Sequence, residues 1–243
     1  MLVVGIDPAS GKKGSYVFAP EAGLDRANQS AAELKATLRS IRETHRDVLV
    51  CWDAPLTGPP QPDASDPGNL IERGIETRYA KLTRNVEGVK VRGYAQLSHW
   101  VITRHVLGLP RVGGFDAELR ALPFMPVFSP EPPSGGAHVA EVHPTLAAWA
   151  WLGESFEAYK GSGSAEAHRG AIRNNWEALR SRSVLASVNA RFGSQLDLPN
   201  TMSGLDDALD ARVAWLLGTL WVEGAGVTLE GSVTEGSFLM PTT

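Results

Sequence analysis

The residues in this sequence that could do chemistry are acidic and lie far apart along the chain. In chain order they are Asp7, Asp53, Glu141 and the group Asp206, Asp207 and Asp210. Several carboxylates held together repel one another unless cations lie between them. Oxygen ligands with few accompanying histidines favour hard ions such as Mg²⁺ or Mn²⁺ over zinc. If these acids converge, they predict a divalent-metal site.

A site of this kind could cleave phosphodiesters, because two divalent ions about 3.5–4 Å apart can activate a water molecule and stabilise the leaving oxygen. The formal net charge of −4 excludes a broadly basic surface, so nucleic acid would have to be held by local patches. The segment from Glu72 to Arg111 has a local basic excess and is one candidate. A second lies between Lys160 and Arg191, although such runs are usually solvated faces.

Apolar runs predict the strands that must position these acids. Leu2–Asp7 is short, rich in β-branched residues and ended by Pro8 and two glycines. Ser15–Ala19 then predicts a second strand, which gives a hairpin at the start of the chain. The turn between them, Ser10–Gly14, lacks the full phosphate-loop spacing, so a tight hairpin with solvated lysines is the better interpretation.

Two further strands carry the next acids. Val48–Trp52 has apolar residues at consecutive positions, as expected of a central strand covered on both faces, and Asp53 follows it directly. Ala137–Val142 predicts another strand, which contains Glu141. Ligand sites in open α/β sheets lie beyond strand ends, so these acids and Asp7 could meet at one edge of the sheet.

Helical spacing predicts the elements that cover the sheet. Ser30 is placed as the N-cap of a helix that runs to His45, with Glu33 three residues later. Other helices are predicted near Tyr94–Val106, at Thr145–Leu152, from the Gly161–Ser164 loop to about Ser187, and from Gly204 to Trp221. The tail after the last helix predicts one or two short strands. The order of elements predicts an α/β fold, a mixed sheet with helices on its faces.

Length and composition predict a single domain, residues 1–243, with a Pro-rich insertion at about 55–135. Cys51 is the one cysteine, so no intramolecular disulfide and no thiolate metal cage can form, and a buried core thiol is expected. The N-terminal apolar run is cut short at Asp7, and no stretch approaches the roughly 20 apolar residues of a membrane span. We therefore expect a soluble, cytoplasmic protein.

Four motifs in this order resemble a known family. They are Val3–Asp7, Asp53–Leu56, Glu141–Pro144 and Asp206–Ala211. Together they resemble domain-of-unknown-function family 429, whose members are predicted nucleases with an RNase H-like fold. The closing Gly236–Pro241 is similar to that family's terminal strand, so the resemblance covers both ends of the chain and leaves the Pro-rich middle largely unmatched.

The resemblance implies a role for each acid. Asp7 would be the catalytic aspartate of the first strand, and Asp53 and Glu141 would be further metal ligands or water-positioning carboxylates. The pair Asp207 and Asp210 would supply the closing ligands, as in resolvase-like members. These five residues form the expected catalytic and metal-binding set, with Mg²⁺ or Mn²⁺ as cofactor and RNA, DNA or a hybrid as substrate.

Some assignments stay open from the residues alone. Helix geometry places Asp210 nearer the apolar stripe than Asp207, which points furthest from the core. Asp206 lies close to the stripe but three residues after the candidate N-cap Ser203, where it could complement the helix dipole. His143 could act as a general acid or base, although a histidine before a helix-leading proline is at least as often structural.

Two other functions remain compatible with the sequence. One is an ATP-dependent phosphotransferase of the actin or sugar-kinase type, since those folds share the first-strand aspartate and the hairpin glycines. The chain is short for two such domains. The other is a non-catalytic scaffold in which the acids bind metal without turnover, because a fold does not dictate an activity.

Overall fold

The computed structural model describes residues 1–9, 13–56, 63–65, 71–89, 91, 97–107, 110–111, 114–115, 124–161, 163–200 and 204–242. The described strands are β1 (Leu2–Asp7), β2 (Ser15–Ala19), β3 (Leu24–Gln29), β4 (Val48–Trp52), β5 (Pro110–Arg111), β6 (Gly114–Phe115), β7 (Met125–Pro126), β8 (Ala137–Glu141), β9 (Val227–Ser232) and β10 (Gly236–Pro241). The described α-helices are α1 (Ala31–Thr44), α2 (Gly74–Leu82), α3 (Leu97–Leu107), α4 (Pro144–Leu152), α5 (Ala165–Arg180), α6 (Ala186–Phe192) and α7 (Leu205–Val222). The expected α/β class, a mixed sheet flanked by helices, is confirmed.

Six of the strands form one sheet in the order β3-β2-β1-β4-β8-β7. β1, β4, β8 and β7 are parallel, whereas β2 and β3 run antiparallel to their neighbours. In the register, Ile6 of β1 lies opposite Trp52 of β4, and Trp52 lies opposite Glu141 of β8. The carboxyl ends of these three strands therefore lie side by side at one edge of the sheet.

Strand β4 and the first five residues of β1 are apolar throughout, as expected where helices cover both faces of the sheet. On one face, side chains such as Ile6 and Trp52 pack with α1 and α3. On the other face, side chains such as Val3 and Cys51 pack with α4, α5 and α7. Successive residues of a strand point to opposite faces, so this alternation decides which strand-end acids face α7.

Helix α7 lies directly against β1 and is buried around almost its whole circumference. Its Gly218 faces the sheet, where an added Cβ would lie 2.7 Å from Cγ1 of Val3 and would also collide with the Cys51 sulfur. Cys51 is fully buried, as the sequence predicted, and burial raises the pKa of its thiol. The close approach at Gly218 seats α7 against the two central strands.

Most elements that carry the acids were predicted correctly. The β1–β2 hairpin, β4, β8, α4 and α7 all lie within a residue or two of the expected bounds. The capping box of α1 is also present: the Ser30 hydroxyl accepts from the Glu33 amide at 3.3 Å, and the Glu33 carboxylate accepts from the Ser30 amide at 2.8 Å. The tail forms two strands, β9 and β10, which pair with each other.

Other parts of the fold were missed or misplaced. β3 is an exposed, polar edge strand, and α2 lies inside the Pro-rich insertion. The helix expected to continue to Ser187 ends at Arg180, and α6 follows after a 3₁₀ turn. The candidate N-cap Ser203 lies outside the described residues; α7 instead begins after Gly204, whose φ of 73° is left-handed. Among the described helices, none combines the length and apolarity that crossing a membrane requires.

Candidate carboxylate site

Asp7 and Asp53 are neighbours at the carboxyl ends of β1 and β4. The strand register continues past Ile6 and Trp52, and the amide of Asp53 donates to the carbonyl oxygen of Ile6 at 3.0 Å. Because Ile6 and Trp52 face α1 and α3, strand alternation turns the two aspartates towards the face that α7 covers. Two of the predicted site residues are thus brought together as expected.

Asp210 reaches the same place from the first half of α7. Its carboxylate is buried, with 1 % of the residue exposed. The Tyr159 hydroxyl donates to Oδ1 of Asp210 at 2.7 Å, and the Lys160 ammonium donates to Oδ2. A buried carboxylate is stable only when its oxygens are paired, and this one is held by a tyrosine and a lysine from the segment between α4 and α5.

The electrostatic couplings show that these acids share one site. Burial raises the pKa of the Asp7 carboxyl well above its ordinary value. Repulsion from Asp53, Asp210 and Asp207 raises that pKa further, and attraction to Lys160 offsets only part of the increase. Burial also raises the pKa of Asp53, with repulsion from Asp210 as the next cause. The site therefore holds more negative charge than its surroundings stabilise.

Asp210 differs from its two neighbours in how its charge is stabilised. Burial raises the pKa of Asp210, whereas the hydrogen bonds and charge of Lys160, followed by the hydrogen bond of Tyr159, lower it. The net shift remains upward. Among the three central aspartates, Asp210 is thus the one with a bound counter-ion from the protein itself.

Asp207 is less exposed than Asp206, and both are close enough to repel central acids: Asp206 raises the pKa of Asp210. The exposed fraction of the side chain is 14 % for Asp207 and 36 % for Asp206. Asp207 raises the pKa of both Asp7 and Asp53. The helix geometry predicted that Asp207 points furthest from the core, but its side chain is the less exposed of the two, so that expectation was wrong. Because α7 is buried nearly all round, the centre of its apolar stripe does not define a single inward direction.

Lys13 connects the β1–β2 turn to the start of α7. Its ammonium lies 2.7 Å from Oδ1 of Asp207 and 3.3 Å from Oδ2 of Asp206. Half of the lysine side chain is exposed, as expected, but it is paired rather than merely solvated. Ser10, Gly11 and Lys12 of the same turn lie outside the described residues.

Glu141 is paired with Arg73 and lies on the opposite face of the sheet from Asp53. It is in register with Trp52, so alternation directs it to the opposite face from Asp53. Its carboxylate accepts hydrogen bonds at 2.9 Å from Nη1 of Arg73 and at 2.7 Å from the amide of Leu56. Glu141 still raises the pKa of Asp53 by repulsion, which shows that the two groups are close.

Arg73 connects Glu141 to helix α2. The arginine lies just before α2 and also bonds Glu76 of that helix, with Nη2 to Oε1 at 2.7 Å. All three side chains are buried. A second contact links the Asp53–Leu56 turn to Glu141 through the Leu56 amide. The Arg73, Glu76 and Glu141 network therefore fastens α2 and the Asp53 turn to the end of β8.

The other candidate residues have structural surroundings. His143 is the N-cap residue of α4, is buried, and packs edge to face against Phe238 with ring centroids 6.1 Å apart. In the first basic segment, Arg78 pairs with Glu230. In the second, Arg180 pairs with Asp197. These contacts favour packing and surface ion pairs over a ready-made phosphate surface.

The donor chemistry of the site suits a hard divalent cation. Among the described residues, no three acidic, histidine or cysteine side chains are already grouped closely enough to hold a metal ion. Asp7 and Asp53 nevertheless offer adjacent carboxylates whose pKa values are raised by burial and repulsion. A cation between them would relieve that repulsion, so the residues fit Mg²⁺ or Mn²⁺ by charge and ligand type.

Sequence reasoning missed Tyr159, Lys160 and Arg73 as members or supports of the site. Lys160 was seen only as the first residue of a basic segment. A lysine beside a Gly/Ser loop carries no motif, and only the fold brings it to Asp210. The Glu76 carboxylate accepts from the Arg73 amide at 2.9 Å, but arginine has no side-chain acceptor, so the pair does not match the capping-box pattern and gave no signal in the sequence.

Fold and site together define an α/β protein with a buried, multi-carboxylate site at the carboxyl edge of its sheet. Residues 118–235 match the model of the family described as "Protein of unknown function (DUF429)". The resemblance to this family stated from the motifs is therefore confirmed over residues 118–235. The match includes Glu141, Asp207 and Asp210, whereas Asp7 and Asp53 precede it. Neither the curated proteins nor the solved structures compared with the chain gave a match.

Proposed function

We propose that this protein is a divalent-metal-dependent nuclease that hydrolyses phosphodiester bonds in nucleic acid. The observation that carries the proposal is the convergence of Asp7, Asp53 and Asp210, which come from three distant parts of the sequence. Their repulsion, only partly offset by Lys160, is the electrostatic condition under which a bound cation is stabilised. Strongly perturbed groups of this kind cluster at functional sites more than elsewhere.

The fold supports the same proposal. The mixed sheet, with its antiparallel β2 and β3 beside parallel β1, β4 and β8, is compatible with an RNase H-like fold. The first-strand aspartate lies at the carboxyl edge, where ligand sites of open α/β sheets form. The four motifs resemble a family whose members are predicted nucleases. This resemblance is the reason for proposing nuclease activity in particular.

The residues of the site would have different roles, which follow from their positions. Asp7 and Asp53 would hold the ion, with Asp210 and Asp207 adjoining it. The ion would lower the pKa of a bound water and stabilise negative charge that develops on phosphate oxygens. Tyr159 orients Asp210 through its hydroxyl, and the Arg73–Glu141 pair holds the turn that carries Asp53. Asp210 is 1 % exposed, so bulk water is excluded from that side of the site.

The activity test offers purified protein RNA, DNA, hybrid and branched substrates, each with Mg²⁺ or Mn²⁺. We expect metal-dependent cleavage of at least one of them, and a loss of about 100-fold or more in Asp7→Asn, as is usual when a metal-binding catalytic group is removed. Asp197→Asn, on the exposed pair with Arg180, is the matched control and should keep full activity. Equal activity in Asp7→Asn and wild type would contradict the assignment.

A further inference from the structure

Lys160 brings a positive charge to the carboxylate site. Its ammonium is bonded to Oδ2 of Asp210, while the hydroxyl of the preceding Tyr159 bonds Oδ1 of the same carboxylate. The Thr145 hydroxyl lies 3.1 Å from the Tyr159 oxygen and fixes it in turn. Both oxygens of Asp210 are therefore already engaged by the protein.

The lysine interacts with more than its hydrogen-bond partner. Burial lowers the pKa of Lys160, but attraction to Asp210, followed by Tyr159, Asp7 and Asp53, raises it well above its ordinary value. About 40 % of its side chain is exposed, so the stem reaches the site from solvent while the ammonium lies among the acids. Lys160 is thus a fixed positive charge within reach of all three central aspartates.

A count of charges shows what the site still lacks. Asp206 and Asp207 share the Lys13 ammonium, at 3.3 and 2.7 Å, so this outer group has one negative charge left, on the more exposed Asp206. Asp7, Asp53 and Asp210 then bring three negative charges, and Lys160 offsets one of them. Within this inner group two negative charges remain, on Asp7 and Asp53, and they equal the charge of a single divalent ion.

We propose that Lys160 takes the place of one of two metal ions, so that the site binds a single divalent ion through Asp7 and Asp53. Asp210 is then a positioning residue that anchors the Lys160 ammonium, and not a metal ligand. This inference rests on the metal binding in the proposed function. It differs from the two-ion arrangement that phosphodiester cleavage by carboxylate sites commonly uses.

The test measures how many Mn²⁺ ions the full chain binds. Calorimetric titration and elemental analysis after equilibrium dialysis are applied to wild type, Lys160→Met, Lys160→Arg, Asp7→Asn and the surface control Lys81→Met. Methionine keeps much of the length of the lysine stem and removes the charge, whereas arginine keeps the charge. Far-UV circular dichroism melting confirms that each variant is folded. Lys81 is exposed on α2 and belongs to no part of the site.

We expect one Mn²⁺ per chain for wild type, Lys160→Arg and Lys81→Met, two for Lys160→Met, and none for Asp7→Asn. Two ions in wild type would overturn the role of Lys160 and leave the proposed metal-dependent function intact. One ion in Lys160→Met with unchanged affinity would also overturn it. No binding in any of the proteins would contradict both proposals. The wild-type stoichiometry can decide against the inference even if Lys160→Met does not fold.

Discussion

The backbone of α7 crosses β1 at Gly5, where an added Cβ would lie 2.6 Å from the backbone nitrogen of Trp215. It would also collide with the carbonyl oxygen of Ala211, one residue after Asp210. Backbone atoms of a buried helix cannot move aside as the tip of a flexible side chain can. Because Gly5 has no side chain, α7 can pack directly on β1. This brings Asp210 of α7 close to Asp7, which lies two residues after Gly5 on β1.

Gly5→Ala should destabilise the protein by about 3 kcal/mol or more, because the added methyl group overpacks a contact between backbones. Urea unfolding followed by circular dichroism measures the change. Gly170→Ala is the control: Gly170 lies in α5 with nothing within 4 Å of its added Cβ. That substitution should stabilise the helix by roughly 0.5–1 kcal/mol. Similar effects at the two glycines would show that the contact with α7 is not tight.

The part of the site on β1 and β4 was predictable from sequence. Continuous apolar runs predict buried parallel strands, and an acid directly after each run must then lie at a shared edge. Asp7 and Asp53 meet both conditions. Glu141 was grouped with them because it also ends a strand, but its register with Trp52 turns it to the other face. The alternation of side chains along a strand shows which face Glu141 occupies only when the register of β8 against β4 is known.

Other features had no local signal. The edge strand β3 is polar and exposed, so it lacks the apolar alternation by which strands are recognised. Helix α2 is short, and its buried capping contacts depend on Glu141, which is distant in sequence. Lys160 becomes a site residue only because the segment after α4 folds back onto α7. Such contacts between distant segments are properties of the fold and not of a window of sequence.

Asp7→Asn should stabilise the protein at neutral pH when no divalent ion is present, by about 1–3 kcal/mol, because it removes a buried charge that neighbouring aspartates repel. The pKa of Asp7 is higher in the folded state than in the unfolded state. Its contribution to the free energy of unfolding is therefore most favourable below the pKa of the unfolded state, and it is lost as the pH rises through the pKa of the folded state. The stability gain of Asp7→Asn over wild type should therefore grow from acidic towards neutral pH.

Thermal melts of wild type and Asp7→Asn between acidic and neutral pH, in chelator, measure that difference. Asp197→Asn provides the comparison, since Asp197 forms an exposed pair with Arg180 at 2.6 Å. Loss of an exposed pair costs roughly 0–1 kcal/mol. If Asp7→Asn were less stable than wild type at neutral pH, repulsion within the carboxylate site would not be the dominant effect.

Arg73→Met should cost about 3–5 kcal/mol, because it removes the guanidinium that is paired with the buried Glu76 and Glu141. Adding Glu141→Gln to Arg73→Met should recover part of that loss, since one uncompensated charge is then removed. Chemical denaturation of the single and double variants tests both statements. Arg84→Met, at an exposed position after α2, should change stability by no more than about 0.5 kcal/mol. A Glu141→Gln addition that lowered stability further would contradict this account of the network.

Tyr159→Phe tests whether Asp210 depends on its buried hydroxyl partner. The hydroxyl donates to Oδ1 of Asp210, which is 1 % exposed, so water cannot easily replace it, and the loss should cost about 1–3 kcal/mol. Tyr79→Phe is a matched control, because the Tyr79 hydroxyl donates to Glu230, whose side chain is 34 % exposed and can be solvated instead. Its cost should stay below about 1 kcal/mol.

The two tyrosine variants also differ in their pH dependence. The Tyr159 hydroxyl lowers the pKa of Asp210, so Tyr159→Phe should raise that pKa further above its unfolded value. Stability lost in Tyr159→Phe should then be largest at neutral pH and smaller where Asp210 is protonated. The midpoints of urea unfolding, measured at several pH values, give the stability of both variants. A larger loss of stability in Tyr79→Phe than in Tyr159→Phe would contradict the proposed role of the Tyr159 hydroxyl in stabilising Asp210.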